Sequence, residues 1–224
     1  MPRLGPGLPY GILVFTNLVP AKKTPKLHRA ARRASIVQAA AKLFSQQGFR
    51  GVTTREIAAA AGITEPVLYE HFSTKRDLYS AIIEDKYSEG KCLLEKRLSA
   101  FGEGEDDREF FLQLGQAIGD FVTKDPNYSR LMLYAALEGH ELADLSFKRN
   151  ATWFYNFVGG YIKRRQKQGA FRGLDALLCA RSFVCMVYEY CLYEINFGFK
   201  VVRLSKKKTI EGMVDIFLNG IVSK

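Results

Sequence analysis

The chain has 224 residues, close to half of them hydrophobic and a quarter charged, a composition that fits a globular protein and excludes a disordered or fibrous one. Residues 1–76 hold twelve Lys/Arg against three Asp/Glu, while the remaining 148 hold twenty-one against twenty, so the net charge of +10 is a local property. A basic surface on one third of a chain suits a polyanionic partner, whose condensed counterions are released when its phosphates are neutralised.

Residues 1–28 are rich in Pro and Gly and lead into the basic run Lys22, Lys23, Lys26, Arg29, Arg32 and Arg33. They read as a disordered basic extension, or as sequence upstream of a misassigned start. The apolar patch Tyr10 to Leu18 makes a poor secretion signal, with a single Arg before it, Asn17 inside it and no small-x-small site. Beside a DNA-reading domain, the basic run could lie on phosphates or in a minor groove.

A first helix is expected over Arg29–Gln47, with Ile36, Ala40, Leu43 and Phe44 on one face and Gly48 as a left-handed stop. Thr53 and Glu56 form a capping box for a second helix, packed through Ile57, Ala58 and Ala61 and ended by Gly62. Thr64 is the expected N-cap of a third helix, with Pro66 in its first turn and Leu68 and Phe72 facing inward. Thr74 and Asp77 open a fourth helix, whose core face continues through Leu78 and Ile82. A helix, a short Gly turn and a second short exposed helix make a helix-turn-helix, whose second member fits a major groove.

Residues 36–78 include Ile36-x-x-Ala39-Ala40-x-x-Leu43-Phe44-x-x-x-Gly48-Phe49, Thr53-Thr54-Arg55-x-Ile57-Ala58-x-x-Ala61-Gly62-Ile63 and Leu68-Tyr69-x-His71-Phe72-x-Thr74-Lys75-x-x-Leu78. This run closely resembles the TetR family of transcriptional regulators. The resemblance implies phosphate and groove-edge contacts from Thr54 and Arg55, and base reading by Thr64, Glu65, Pro66 and Val67. It also implies phosphate anchors at Tyr69, His71 and Lys75. A phenol or imidazole can donate to a phosphate, and Lys75 stands at a helix N-terminus that favours anions. Glu65 could accept from cytosine N4 or simply complement the helix dipole; Val67 could touch a thymine methyl or pack inward. Tyr69 as a half-buried aromatic and His71 as an idle surface histidine are the competing readings.

Beyond residue 85 the chain reads helical throughout. The fourth helix runs to Leu98, and others are expected over Arg108–Thr123, Pro126–Glu138, Glu141–Gln168, Leu174–Phe197 and Lys207–Val222. No stretch reads as a membrane span, because the most apolar, Phe183 to Phe197, contains Glu189 and Glu194. Trp153, Phe157 and Tyr161 form a stripe that is either core or the wall of an apolar cavity. The resemblance implies an effector pocket in this half, for which Phe111, Tyr128, Tyr134, Trp153, Phe157, Tyr161, Phe183 and Tyr188 are the candidates. It also implies a homodimer through the last two helices, with Phe183, Val187, Tyr190, Phe197, Met213 and Phe217 as the candidate interface.

The expected architecture is all-α: a basic extension (1–28), a helix-turn-helix DNA-binding domain (29–85), and a larger helical effector-binding and dimerisation domain (86–224). Catalysis is not expected, since no nucleophile elbow, phosphate loop or dinucleotide fingerprint occurs and His140-Glu141 lacks a second His at Asp144 or Leu145. Neither a metal site nor a cofactor is expected; Cys179, Cys185 and Cys191 are six apart and point in three directions, and with Cys92 suit a reducing cytoplasm. The leading reading is a cytoplasmic, ligand-responsive repressor that binds a palindromic double-stranded operator as a homodimer and has no membrane partner. The alternative is a DNA-binding helical protein without a small-molecule effector, structural or partner-controlled, with a filled interior around Trp153.

Overall fold

The computed structural model describes residues 29–98, 101, 106–138 and 152–222. The expected basic extension, His140 and the start of the helix expected at Glu141 lie outside the described residues. Within them the fold is all-α: α1 (Arg29–Gly51), α2 (Thr54–Ala60), α3 (Glu65–Tyr69), α4 (Lys75–Leu98), α5 (Asp107–Lys124), α6 (Pro126–Leu137), α7 (Thr152–Lys167), α8 (Ala176–Phe197) and α9 (Lys206–Ile221).

Short polar side chains set most helix starts. Thr53 and Glu56 form the expected reciprocal capping box of α2, and Thr74 Oγ1 accepts the Asp77 amide at α4. Asp106, Asp125, Asp175 and Ser205 accept first-turn amides of α5, α6, α8 and α9. Thr64 departs from expectation: its backbone is extended as an N-cap requires, but its hydroxyl makes no cap bond.

The end of α1 also differs. Gly48 has φ 73 and ψ 174, an extended conformation open to glycine and not the left-handed helical stop, and a further turn runs to Gly51. The cause lies in α6. The carboxylate of Glu138 accepts the Phe49 amide at 3.2 Å and the Arg50 amide at 3.5 Å, replacing the carbonyls that a straight helix would offer.

Two hydrophobic cores result. The first gathers Ile36, Ala40 and Phe44 of α1, Ile57 of α2, Leu68 of α3, and Leu78, Tyr79 and Ile82 of α4, together with Leu131 and Ala135 of α6. Phe44, Phe49 and Tyr79 meet there, with Tyr79 edge-on to both phenylalanines. The second joins α5, α7, α8 and α9 around Phe110, Phe111, Phe183 and Phe217. Tyr161 stacks on Phe110 at 3.6 Å, and Asp107 accepts from its hydroxyl at 2.7 Å and binds Arg165 through both carboxylate oxygens, locking α7 to the start of α5. Ala176–Glu194 is long and apolar enough to cross a membrane by length and composition, and here it packs among α5, α7 and α9.

The expected dimer residues are divided by this packing. Phe183 and Val187 are fully buried and Phe217 nearly so; Phe183 and Phe217 sit 5.0 and 4.9 Å from Phe111 inside their own chain. Tyr190 and Met213 are half-buried against the same core. Of the expected six, only Phe197 is exposed. The outward apolar side chains are Leu177, Leu178, Tyr193 and Phe197 of α8 and Ile216 of α9, the last 70% exposed. Helical periodicity marks apolar residues on a helix such as α8 but does not say which face its own chain takes.

Gly48→Ala should test the α1 kink. A Cβ there would run into the Glu138 carboxylate, and the positive φ disfavours any side chain. We expect a loss of about 1–3 kcal/mol, read as a lower denaturation midpoint at unchanged m-value.

Candidate nucleic-acid interface and internal cavity

The turn between α2 and α3 closes in two hydrogen bonds, Gly62 N–H to Ala59 O at 3.1 Å and Ile63 N–H to Ala58 O at 3.0 Å. This is the Schellman pattern, with Gly62 at φ 67 in the position that favours glycine. It sets the short α3 across the start of α2. Arg55, Thr64, Pro66 and Tyr69 are exposed, and Thr54, Glu65, Val67, His71 and Lys75 are half-buried.

These side chains are bonded to one another. The Tyr69 hydroxyl donates to Thr54 Oγ1 at 3.3 Å, and the Thr54 hydroxyl donates to one Glu65 oxygen. Arg55 Nε lies 3.9 Å from the other Glu65 oxygen. Glu65 is therefore tied to Thr54 at the start of α2, with the exposed Arg55 guanidinium at the edge of ion-pair range.

Lys75 is more inward than an exposed phosphate anchor. Its ammonium donates to the Val52 carbonyl at 2.7 Å and sits 4.3 Å from the Phe49 ring centroid. Burial pulls its pKa down, against the opposing charges of Glu138 and Glu56. One of its three donors is committed to the turn before α2; the other two are not needed for that bond.

Further along α4, between Lys86 and Leu94, a cavity of about 440 Å³ opens, within the size range of small-molecule sites. Its walls are Tyr87, Gly90 and Leu94 of α4, Ile118 and Phe121 of α5, Tyr128 and Met132 of α6, Trp153 to Tyr155 of α7, and Val184, Cys185 and Tyr188 of α8. Lys86, Lys91, Arg181 and Glu189 supply charge. Burial pushes the Tyr128 phenol up to about 12, with Tyr188 adding to it, and burial likewise raises Tyr155 and Tyr188. The phenols are thus neutral groups able to donate.

Of the eight expected wall residues, Tyr128, Trp153 and Tyr188 line this cavity. Phe157 stacks behind Trp153 at 5.7 Å, while Phe111, Tyr161 and Phe183 belong to the packed core. Tyr134 is elsewhere, donating from its hydroxyl to the Gln46 carbonyl at the end of α1. Lys86, Tyr87, Lys91, Phe121, Phe154, Tyr155, Cys185 and Glu189 were not anticipated. Their only sequence signal was their presence on helices expected to cross this region.

Residues 36–82 match the family model described as "Bacterial regulatory proteins, tetR family". The nucleoid occlusion factor SlmA of Marinobacter nauticus is 29% identical over 144 residues, covering 64% of this chain and 71% of that protein. The transcriptional repressor KstR2 of Rhodococcus jostii is 28% identical, covering 68% of this chain and 74% of its own length. Among solved structures, AibR in complex with isovaleryl coenzyme A and operator DNA superposes with a TM-score of 0.65 at 24% identity, covering 83% of this chain and 97% of that one. The sequence match thus makes residues 36–82 a DNA-binding domain of the tetR family of regulatory proteins, and the chain as a whole has the fold of solved regulators of that family.

Proposed function

We propose that this protein is a cytoplasmic repressor that binds a palindromic operator as a homodimer and leaves it when a small molecule fills the cavity. The observation that carries this reading is the sharing of α4 and α6 between the two halves. Both contribute buried residues to the helix-turn-helix core, and both line the cavity. A ligand that fits only one arrangement of these helices has the differential affinity that release from DNA requires. KstR2 is named as a repressor and AibR was solved with both an acyl thioester and operator DNA, which supports the reading. The alternative, a DNA-binding protein without an effector, expects a filled interior around Trp153, where a cavity lies instead.

On this reading Arg55, Thr64, Glu65, Pro66 and Val67 meet base edges, with Glu65 acting chiefly through Arg55, while Thr54, Tyr69, His71 and Lys75 meet phosphates. The homodimer is formed by the outward faces of α8 and α9, where a second copy would cover Leu178, Tyr193, Phe197 and Ile216.

Selection from a random duplex library by the purified protein, at two salt concentrations, tests the first part. Enrichment of a palindrome with half-sites about 34–36 Å apart is expected; binding without enrichment that disappears at higher salt would sink the operator reading. Lys75→Ala should weaken binding to every sequence and lower the salt slope by about one, whereas a changed base preference at full affinity would contradict its role. The double variant Leu178→Glu, Ile216→Glu should sediment as a monomer with its helical spectrum intact. A dimer that persists would move the interface elsewhere.

A further inference from the structure

The charged groups around the cavity are not equivalent. Lys86 lies 2.7 Å from Asp125 and 3.0 Å from Glu89, so its charge is already matched. Lys91 pairs with Glu95 at 3.7 Å and stands over the Trp153 ring, 5.2 Å from its centroid. Arg181 has no carboxylate partner among the described residues, and its charge reaches the Tyr155 phenol on the facing helix. Glu189 is the single acid among the described lining residues, eight residues from Arg181 on α8 and so about 12 Å away along the helix.

Aromatic walls could hold a cationic ligand as readily as a neutral one. Here, however, Lys91 already occupies a face of Trp153, and Arg181 would repel a second cation at its end of the cavity. A neutral apolar ligand would leave Arg181 solvated at the cavity edge without using it. A ligand with an apolar body and an anionic head satisfies both features. The body replaces water on the walls made by Leu94, Ile118, Phe121 and Met132, and the head accepts charge-assisted hydrogen bonds from the guanidinium.

Building on the effector reading of this cavity, we propose that its ligand is an amphipathic anion, a chain or ring system ending in a carboxylate or phosphate, whose head is held by Arg181. Arg181 is then the residue that selects ligand charge, and the Tyr155 phenol of the facing helix is a neutral donor in the same wall.

Trp153 is the chain's only tryptophan and lines the cavity, so its emission reports occupancy in the full-length protein. The probes are dodecanoate, dodecyl phosphate, dodecanol and dodecyltrimethylammonium, titrated against wild type, Arg181→Gln and Arg181→Glu, each checked for native helicity. Wild type should bind dodecanoate, dodecyl phosphate or both at least about tenfold more tightly than the alcohol. The stronger of the two anions distinguishes a free acid from a phosphorylated head. Arg181→Gln should bring the ratio of anion to alcohol affinity close to one, and Arg181→Glu should turn the preference toward the ammonium. Equal binding of anion and alcohol by wild type, or a preference that survives Arg181→Gln, overturns the headgroup assignment while leaving the cavity as an effector site. No change in Trp153 emission with any of the four overturns the effector reading and this inference together.

Discussion

The rest of the structure depends on α6 belonging at once to the helix-turn-helix core and to the cavity wall. Leu131 and Ala135, one turn apart, are buried among α1 and α4 residues of the helix-turn-helix. Tyr128 and Met132, one position round the helix, pack against that same core and also line the cavity. The far end of α6 carries Glu138, which takes the place of missing helical carbonyls for Phe49 and Arg50. Tyr79 of α4 donates to the Leu131 carbonyl at 3.4 Å, so the two shared helices are joined directly. Because packed interiors do not deform continuously, a ligand that displaced Tyr128 would press on the core that holds Leu131.

The kink itself lies next to the residues proposed to meet DNA. From Gly48 the chain passes through Val52, whose carbonyl is held by Lys75, to Thr53 and Thr54 at the start of α2. Glu138 is bonded to one side of this connection and Lys75 to the other. Their charges also act on each other, as Glu138 partly offsets the burial of the Lys75 ammonium. A small displacement of α6 would therefore alter both the path into α2 and the environment of a proposed phosphate contact. Couplings of about 1–3 kcal/mol are typical between linked sites, and losing one such hydrogen bond is of that order.

How legible this was in the sequence varied with the kind of signal. The helix-turn-helix was readable because its boundaries are written locally: a capping box at Thr53, a glycine at Gly62, and Pro66 after Thr64. The Gly48 conformation was not, because its cause is Glu138, about ninety residues away in sequence. Tyr128, Trp153 and Tyr188 could be expected to line a cavity, but Phe111, Tyr161 and Phe183 obey the same helical periodicity and form solid core. Periodicity reports which residues turn inward and says nothing about whether the inside is full. Lys91 escaped notice for the opposite reason, since a cation on a helix is ordinarily a solvated face, whereas Arg181 could be named from the sequence as a polar candidate for the pocket.

α8 carries the last constraint. Its buried face, with Phe183 and Val187, fixes it against α5 and α9, and its Val184, Cys185 and Tyr188 close the cavity. Its exposed side, with Leu178 and Tyr193, is the surface a second copy would cover. Cys185 and Glu189 are both exposed and in the cavity wall, so the wall and the outward face meet on the same turns. Ligand contact at Arg181 and subunit contact at Leu178 would then bear on one rigid helix, less than a turn apart. The distance between the two DNA-reading helices of a dimer is set by how α8 pairs with its copy and by how α4 and α6 hang from it. On the proposed reading, an effector in this cavity would touch α4, α6 and α8 together, so that one binding event would act on both determinants of that distance.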